Sequence, residues 1–161
     1  MNDESLVYAE ELPVGRTVEL GSHAVRLEEM LAFARQWDPQ GFHTDVDVAA
    51  AGHFGEVIAS GIHTLGIYQR LSVQGAVGRW AVIAGRRIRE LRFPAPVVAG
   101  DVLHASLLVE SVTPGRPDAT GRAPRALVVV HAHVRRDDGT SVLGATFETY
   151  VRTRPPAHPC D

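Results

Sequence analysis

Four consecutive segments rich in β-branched residues constrain the fold of this chain more than any other feature. Trp80–Leu91, Val102–Val112, Arg125–Arg136 and Thr140–Val151 all carry strand character, with turn signals between them. Asp138-Gly139 is a two-residue hairpin signal, so the last two segments are expected to pair antiparallel. Pro94 and Pro96 confine Phe93–Gly100 to a loop or a sheet edge, because proline cannot donate to a strand ladder. The polar stretch Thr113–Pro124 reads as a connection long enough to be mobile. A further short strand is expected near Arg16–Leu20.

Helical periodicity is confined to the first half. Leu27, Met30, Leu31 and Ala34 fall at i, i+3, i+4 and i+7, one apolar stripe. Arg26 is no capping residue, so the start is weakly marked, whereas Pro39 biases Asp38 out of helical geometry and marks the end. Asp38 is therefore expected just past a helix terminus, free to point into a cleft. Asp45 and Asp47 can cap a short turn through Val48–Ala51, closed by Gly52. From Ser60 to Val73, Ile62, Leu65 and Leu71 together with Gly61 and Gly66 read as a helix packed closely against other backbone. Two glycines cost such a helix about 1 kcal/mol each, so burial must hold it. One amphipathic helix, one buried helix and a run of antiparallel strands define an α+β fold, the buried helix wrapped by a curved sheet.

Composition removes several functions. A chain of 161 residues suits one domain across 1–161, with no repeat or internal boundary and a flexible tail over 153–161. The formal charge of -3 gives no reason to expect nucleic acid as a partner. All sixteen basic residues are Arg, so a Schiff-base lysine and a P-loop lysine are both excluded. Cys160 stands alone, which excludes an intrachain disulfide and a Cys-rich zinc site. No apolar run approaches the roughly 18 residues that span a bilayer, and MNDESLVYAEEL lacks a signal peptide's basic and apolar regions. A soluble, cytoplasmic protein without a membrane partner is the expectation.

The chemistry concentrates in Asp38-Pro-Gln-Gly-Phe-His43, a Pro/Gly-punctuated loop with a carboxylate and an imidazole five residues apart. Seventeen residues past His43, Ser60-Gly61 opens the second helix. Acid/base groups facing the amino end of a helix can polarise a carbonyl and move protons. By spacing alone, Asp38 could equally cap a turn and His43 be an ordinary loop residue. Ser60 lacks a G-x-S-x-G elbow and reads as a helix cap that also lines the pocket. His43, His53 and His63 recur every ten residues, which is no one-face helical spacing, and no His-Glu-x-x-His accompanies them; no metal is expected. His63 reads as packing near a partner protomer or the pocket wall. His131 and His133 share one strand face, expected to be solvated or hydrogen-bonded, and Glu56 reads as surface.

Three blocks, FARQWDPQGFHTD (Phe33–Asp45), FGEVIASGIHT (Phe54–Thr64) and ELRFPAPVVAGDVL (Glu90–Leu103), resemble the MaoC-like dehydratase family, which includes the (R)-specific enoyl-CoA hydratases. The resemblance implies a single hotdog fold, a long central helix enclosed by antiparallel sheet, paired as a homodimer. It implies reversible addition of water to a trans-2-enoyl thioester of coenzyme A or acyl-carrier protein, without a cofactor. The family's catalytic Asp and His fall on Asp38 and His43, and its oxyanion-binding amide on Gly61, after the substrate-lining Ser60. Gly41 and Gln40 stand where many members carry Pro and Asn, which loosens the turn.

Such a thioester is electrophilic at C3 when its carbonyl oxygen can take up charge, which an N–H at a helix start provides. An imidazole, with an ordinary pKa of about 6.5, transfers protons in either direction near neutrality. Two other functions remain open: hydrolysis of the thioester by a hotdog thioesterase, and non-catalytic binding of an acyl thioester. The cluster Arg86, Arg87, Arg89 and Arg92 could meet coenzyme A phosphates or an acidic carrier protein, or be a solvated strand edge. Leu65, Tyr68 and Trp80 are the expected determinants of pocket depth.

Overall fold

The β-rich segments become β2 (Val82–Arg92), β3 (Val102–Pro114), β4 (Arg125–Arg136) and β5 (Ser141–Arg152), joined by β1 (Thr17–Ala24). This is a computed structural model that describes residues 6–115 and 125–154; the tail beyond 154 and most of the expected 113–124 connection lie outside them. All five strands form one antiparallel sheet in the order β1-β3-β4-β5-β2. Alternation builds its inner face: Leu103, Ala105, Leu107 and Val109 of β3 are buried, as are Ala126, Val128, Val130, Ala132 and Val134 of β4. The β4–β5 hairpin turns at Asp138-Gly139, where Gly139 takes a φ of 83° and Asp138 Oδ1 accepts the Thr140 N–H at 2.8 Å.

Against that face lies α4 (Gly61–Gly75), and α1 (Leu27–Trp37), α2 (Gly41–Thr44) and α3 (Val46–Ala50) pack beside it, α1 on α4, α2 on α1 and α3 on α2. Glu29 accepts the Arg26 N–H at 3.1 Å and closes the weakly marked start of α1. Asp45 caps α3, its carboxylate accepting the N–H groups of Asp47 and Val48. The stretch expected as a loop up to His43 instead winds into α2. Gly41 permits this, because a β-carbon there would come within 2.9 Å of Val48 Cγ1.

The helix α4 crosses the sheet. Its Tyr68 ring stacks on Phe147 of β5, with centroids 5.4 Å apart, while Gly75 lies against the backbone of β1. The close approach expected at Gly66 occurs at Gly75: a β-carbon at 75 would sit 2.8 Å from Leu20 Cα, whereas one at 66 would meet nothing within 4 Å among the described residues. Nor is α4 enclosed on every side. Ile62, Gly66, Gln69 and Val73 form an open stripe, with Ile62 53% exposed. Among the described residues no helix is long and apolar enough to cross a membrane.

Gly75 gives a sign test of this packing. Alanine has a higher helix propensity than glycine, so an uncrowded site would gain stability on Gly75→Ala. Contact with the Leu20 backbone predicts the reverse, a net loss of about 1–2 kcal/mol in urea unfolding.

Candidate active site

Three chain segments meet where α1 ends and α4 begins. Asp38 occupies the C-terminal end of α1, its N–H donating to the Ala34 carbonyl at 2.8 Å. Pro39 cannot continue that helix, so the chain turns and places His43 on the single turn of α2. Ser60 is the N-cap of α4, its Oγ accepting the Ile62 N–H at 3.2 Å. The same Oγ donates to Asp38 Oδ2 at 2.7 Å, while Gln40 Nε2 donates to Asp38 Oδ1 at 2.8 Å. His43 Nε2 stands 3.4 Å from Asp38 Oδ2. The residues singled out in the sequence thus lie in one cluster.

Hydrogen bonding favours the ionised form of Asp38. The Gln40 and Ser60 hydrogen bonds, with His43 nearby, hold the Asp38 carboxyl below its ordinary range despite some desolvation. His43 is buried, and its Nδ1 lies 2.7 Å from the Ile58 carbonyl oxygen. That oxygen can only accept, so Nδ1 carries hydrogen and a neutral His43 presents the Nε2 lone pair toward Asp38. Two acceptors 3.4 Å apart then suit a water that donates to both.

A cavity of about 320 Å³ adjoins the cluster. Its wall contains His43, Gly61 and Thr64, and otherwise apolar side chains including Phe42, Phe54, Ile58 and Phe93; Ser60, expected to line it, is buried and is not one of its wall residues, because its hydroxyl is turned to Asp38. Gly61 is the first helical residue of α4, so its N–H lies outside the intrahelical ladder. Thr64 and Phe93 escaped the sequence reading; Phe93 lies 32 residues along the chain from Gly61 and is joined to it only by folding. Tyr68 and Trp80, expected to set the depth of this pocket, line a different cavity of about 450 Å³ beside β2. Tyr68 is seven residues along α4 from Gly61, which carries it about 10 Å away. Leu65 is partly buried against the core.

The remaining candidates resolve individually. Arg86 and Arg89 grip the buried Glu148 of β5, with N···O distances of 2.6 and 3.0 Å. The partner carboxylate lies 62 positions from Arg86, which is why the sequence did not reveal it. Arg92 lies 3.8 Å from Glu90. His131 meets Thr146 Oγ1 at 3.1 Å and Glu110 at 2.8 Å, and His133 meets Ser141 Oγ at 3.1 Å, a hydrogen-bonded outer face. His63 is buried with its ring stacked on Phe33 of α1 at 4.9 Å, and its Nδ1 has no hydrogen-bond partner among the described residues. Burial pushes the His63 pKa down, against the pull of Glu29. Glu56 is exposed, and the spaced histidines form no metal-ligand group among the described residues.

Five antiparallel strands carrying one long helix, with a carboxylate–imidazole pair at the helix start, form a hotdog fold. A conserved hypothetical protein from Mycobacterium tuberculosis with a double hotdog fold aligns with a TM-score of 0.79 at 20% identity, over 99% of this chain and 48% of that one. The chain belongs to the MaoC-like domain family, whose model matches residues 10–129. A solved MaoC-like dehydratase from Rhodospirillum rubrum superposes with a TM-score of 0.80 at 35% identity, covering 92% of this chain and 99% of that one. The R-hydratase from Pseudomonas aeruginosa shares the fold, with a TM-score of 0.71 at 22% identity over 97% and 96% of the two chains. By sequence, the uncharacterized protein YdeM of Bacillus subtilis is 32% identical over 107 residues, 66% of this chain and 76% of that protein. The 3-hydroxyacyl-thioester dehydratase Z of Mycobacterium tuberculosis is 39% identical over 81 residues, 49% of this chain. That match spans about half of the dehydratase, 54% of its length.

One measurement probes the cluster and a second the buried His63. Ser60→Ala removes a helix cap and a hydrogen bond to Asp38; it should cost about 1 kcal/mol in denaturant unfolding and raise the Asp38 pKa in a carboxylate titration followed by NMR. His63 favours its neutral form when folded, so the stability it confers is complete above its unfolded pKa of about 6.5 and is lost as pH falls below it. Thermal melts between pH 7.5 and 5 (roughly that window) should show a steeper acid loss in the wild type than in His63→Phe.

Proposed function

We propose that this chain is a hydro-lyase that reversibly hydrates trans-2-enoyl thioesters, of coenzyme A or a carrier protein, to (R)-3-hydroxyacyl thioesters. The observation that carries this reading is the 3.4 Å approach of His43 Nε2 to Asp38 Oδ2 beside a cavity whose wall includes the first residue of α4. Kinship with the Rhodospirillum rubrum dehydratase and the dehydratase of Mycobacterium tuberculosis supports it.

In this mechanism the thioester oxygen accepts from the Gly61 N–H, where the helix dipole favours negative charge. A water held between Asp38 and His43 loses a proton to one of them as its oxygen bonds to C3. The electron pair of the C2–C3 bond moves toward the carbonyl, forming an enolate. A proton returned from the pair to C2 on the same face restores the carbonyl, and the reverse sequence releases water. Asp38, kept ionised by Gln40 and Ser60, anchors the water and stabilises an imidazolium on His43. The reading extends to a homodimer. β2 is an edge strand exposed along most of its length, with Ile83 and Ile88 each 47% exposed, and a second copy of β2 would complete its ladder.

Loss of enoyl absorbance with crotonyl-CoA and longer homologues tests the reaction. Asp38→Asn keeps the shape and removes the charge, and should lower kcat/KM by roughly 10²–10⁴-fold. Undiminished turnover in that variant would refute the role of Asp38. Release of free thiol by the wild type would indicate hydrolysis instead, and tight binding without turnover a non-catalytic acyl-thioester-binding chain.

A further inference from the structure

The cavity at His43 has a neighbour. A groove of about 820 Å³ opens over β4 and β5, and its walls include Phe93 and Pro94, which also wall the inner cavity. Phe93 packs directly on the helix start: its ring atoms lie 2.8 to 3.0 Å from where a β-carbon on Gly61 would stand. This contact accounts for glycine at position 61, since any side chain there would displace the ring.

The backbone around Phe93 is held while the ring is not. Before it, Glu90 takes a φ of 53°, the positive value of a non-glycine residue among the described residues, and the β2–β5 register breaks between Arg89 and Arg92. After it come Pro94 and Pro96, with the Ala59 N–H donating to the Val97 carbonyl at 2.8 Å. Phe93 nevertheless remains 43% exposed. Opposite Arg92 stands Gly144, which lines the groove and, among the described residues, has nothing within 4 Å of its absent β-carbon, leaving room for a turned ring.

We propose that Phe93 determines the size of acyl group accepted, as a side-chain partition between the inner cavity and this groove. With the ring on Gly61, the acyl chain is confined to the apolar inner cavity and short chains are favoured. With the ring turned away or removed, a longer chain runs past Pro94 and over the bare backbone at Gly144, between His131, His133 and Thr146 on the outer face of the sheet. The proposal rests on the hydration reading for its substrate class and concerns the acyl end of the thioester, not its handle.

The test compares crotonyl-CoA with trans-2-decenoyl-CoA as hydration substrates of wild type, Phe93→Ala and Phe93→Leu. The wild type should prefer the shorter substrate. Phe93→Ala should raise the decenoyl-to-crotonyl ratio of kcat/KM by about tenfold or more, with Phe93→Leu moving it less in the same direction. If both substrates decline together or the ratio stays fixed while the wild type hydrates normally, the partition is wrong and hydration stands. A response that follows the handle, coenzyme A against N-acetylcysteamine at fixed chain length, also overturns it. Should the wild type hydrate nothing, the hydration reading fails, and calorimetric binding of butyryl-CoA and decanoyl-CoA decides the partition by the same ratio in Kd.

Discussion

One hydrogen bond ties the candidate site to the fold: Ser60 Oγ to Asp38 Oδ2, across 2.7 Å. It joins the C-cap of one helix to the N-cap of another, residues separated by 22 positions. Ser60 serves both sides, since the same oxygen accepts the Ile62 N–H and satisfies a donor that α4 would otherwise leave unpaired. Asp38 in return receives two hydrogen bonds that favour its ionised form. The start of α4 and the charge of Asp38 are therefore coupled, and neither can be altered without moving the other.

The sheet supplies the rigidity this coupling needs. Four antiparallel pairings hold five strands, and the inner face is closed by small and β-branched residues that let α4 approach through Gly75. Rigidity is not uniform. At the end of β2 the register breaks and the chain leaves the ladder through Phe93 and two prolines, beside the cavity. Buried Glu148, gripped by Arg86 and Arg89, keeps the exposed β2 fastened to β5 short of that break. The arginine cluster is thus partly committed to the scaffold.

Local rules read well wherever one residue decided the outcome. Pro39 ended α1 at Trp37, Asp45 capped α3, and Asp138-Gly139 turned the last hairpin. They read less well where a distant partner decided. Gly61 and Gly66 looked alike in a helical pattern, yet Phe93 covers the first and none of the described residues crowds the second. Tyr68 and Trp80 looked like pocket residues and do line a cavity, but one displaced along α4 from His43. The turn carrying His43 was legible as a break and not as a helix, because its packing depends on Val48 meeting a glycine.

The sequence by itself determined the α+β class, the strand segments, and the association of Asp38, Ser60 and Gly61 with helix ends, because periodicity, proline and capping act within a few residues. Only the tertiary structure decided that these groups meet within hydrogen-bonding range and that Phe93 rests on Gly61. It alone set which glycines are crowded and which arginines are neutralised. Those outcomes depend on atoms brought together across tens of residues, and no local pattern encodes such distances.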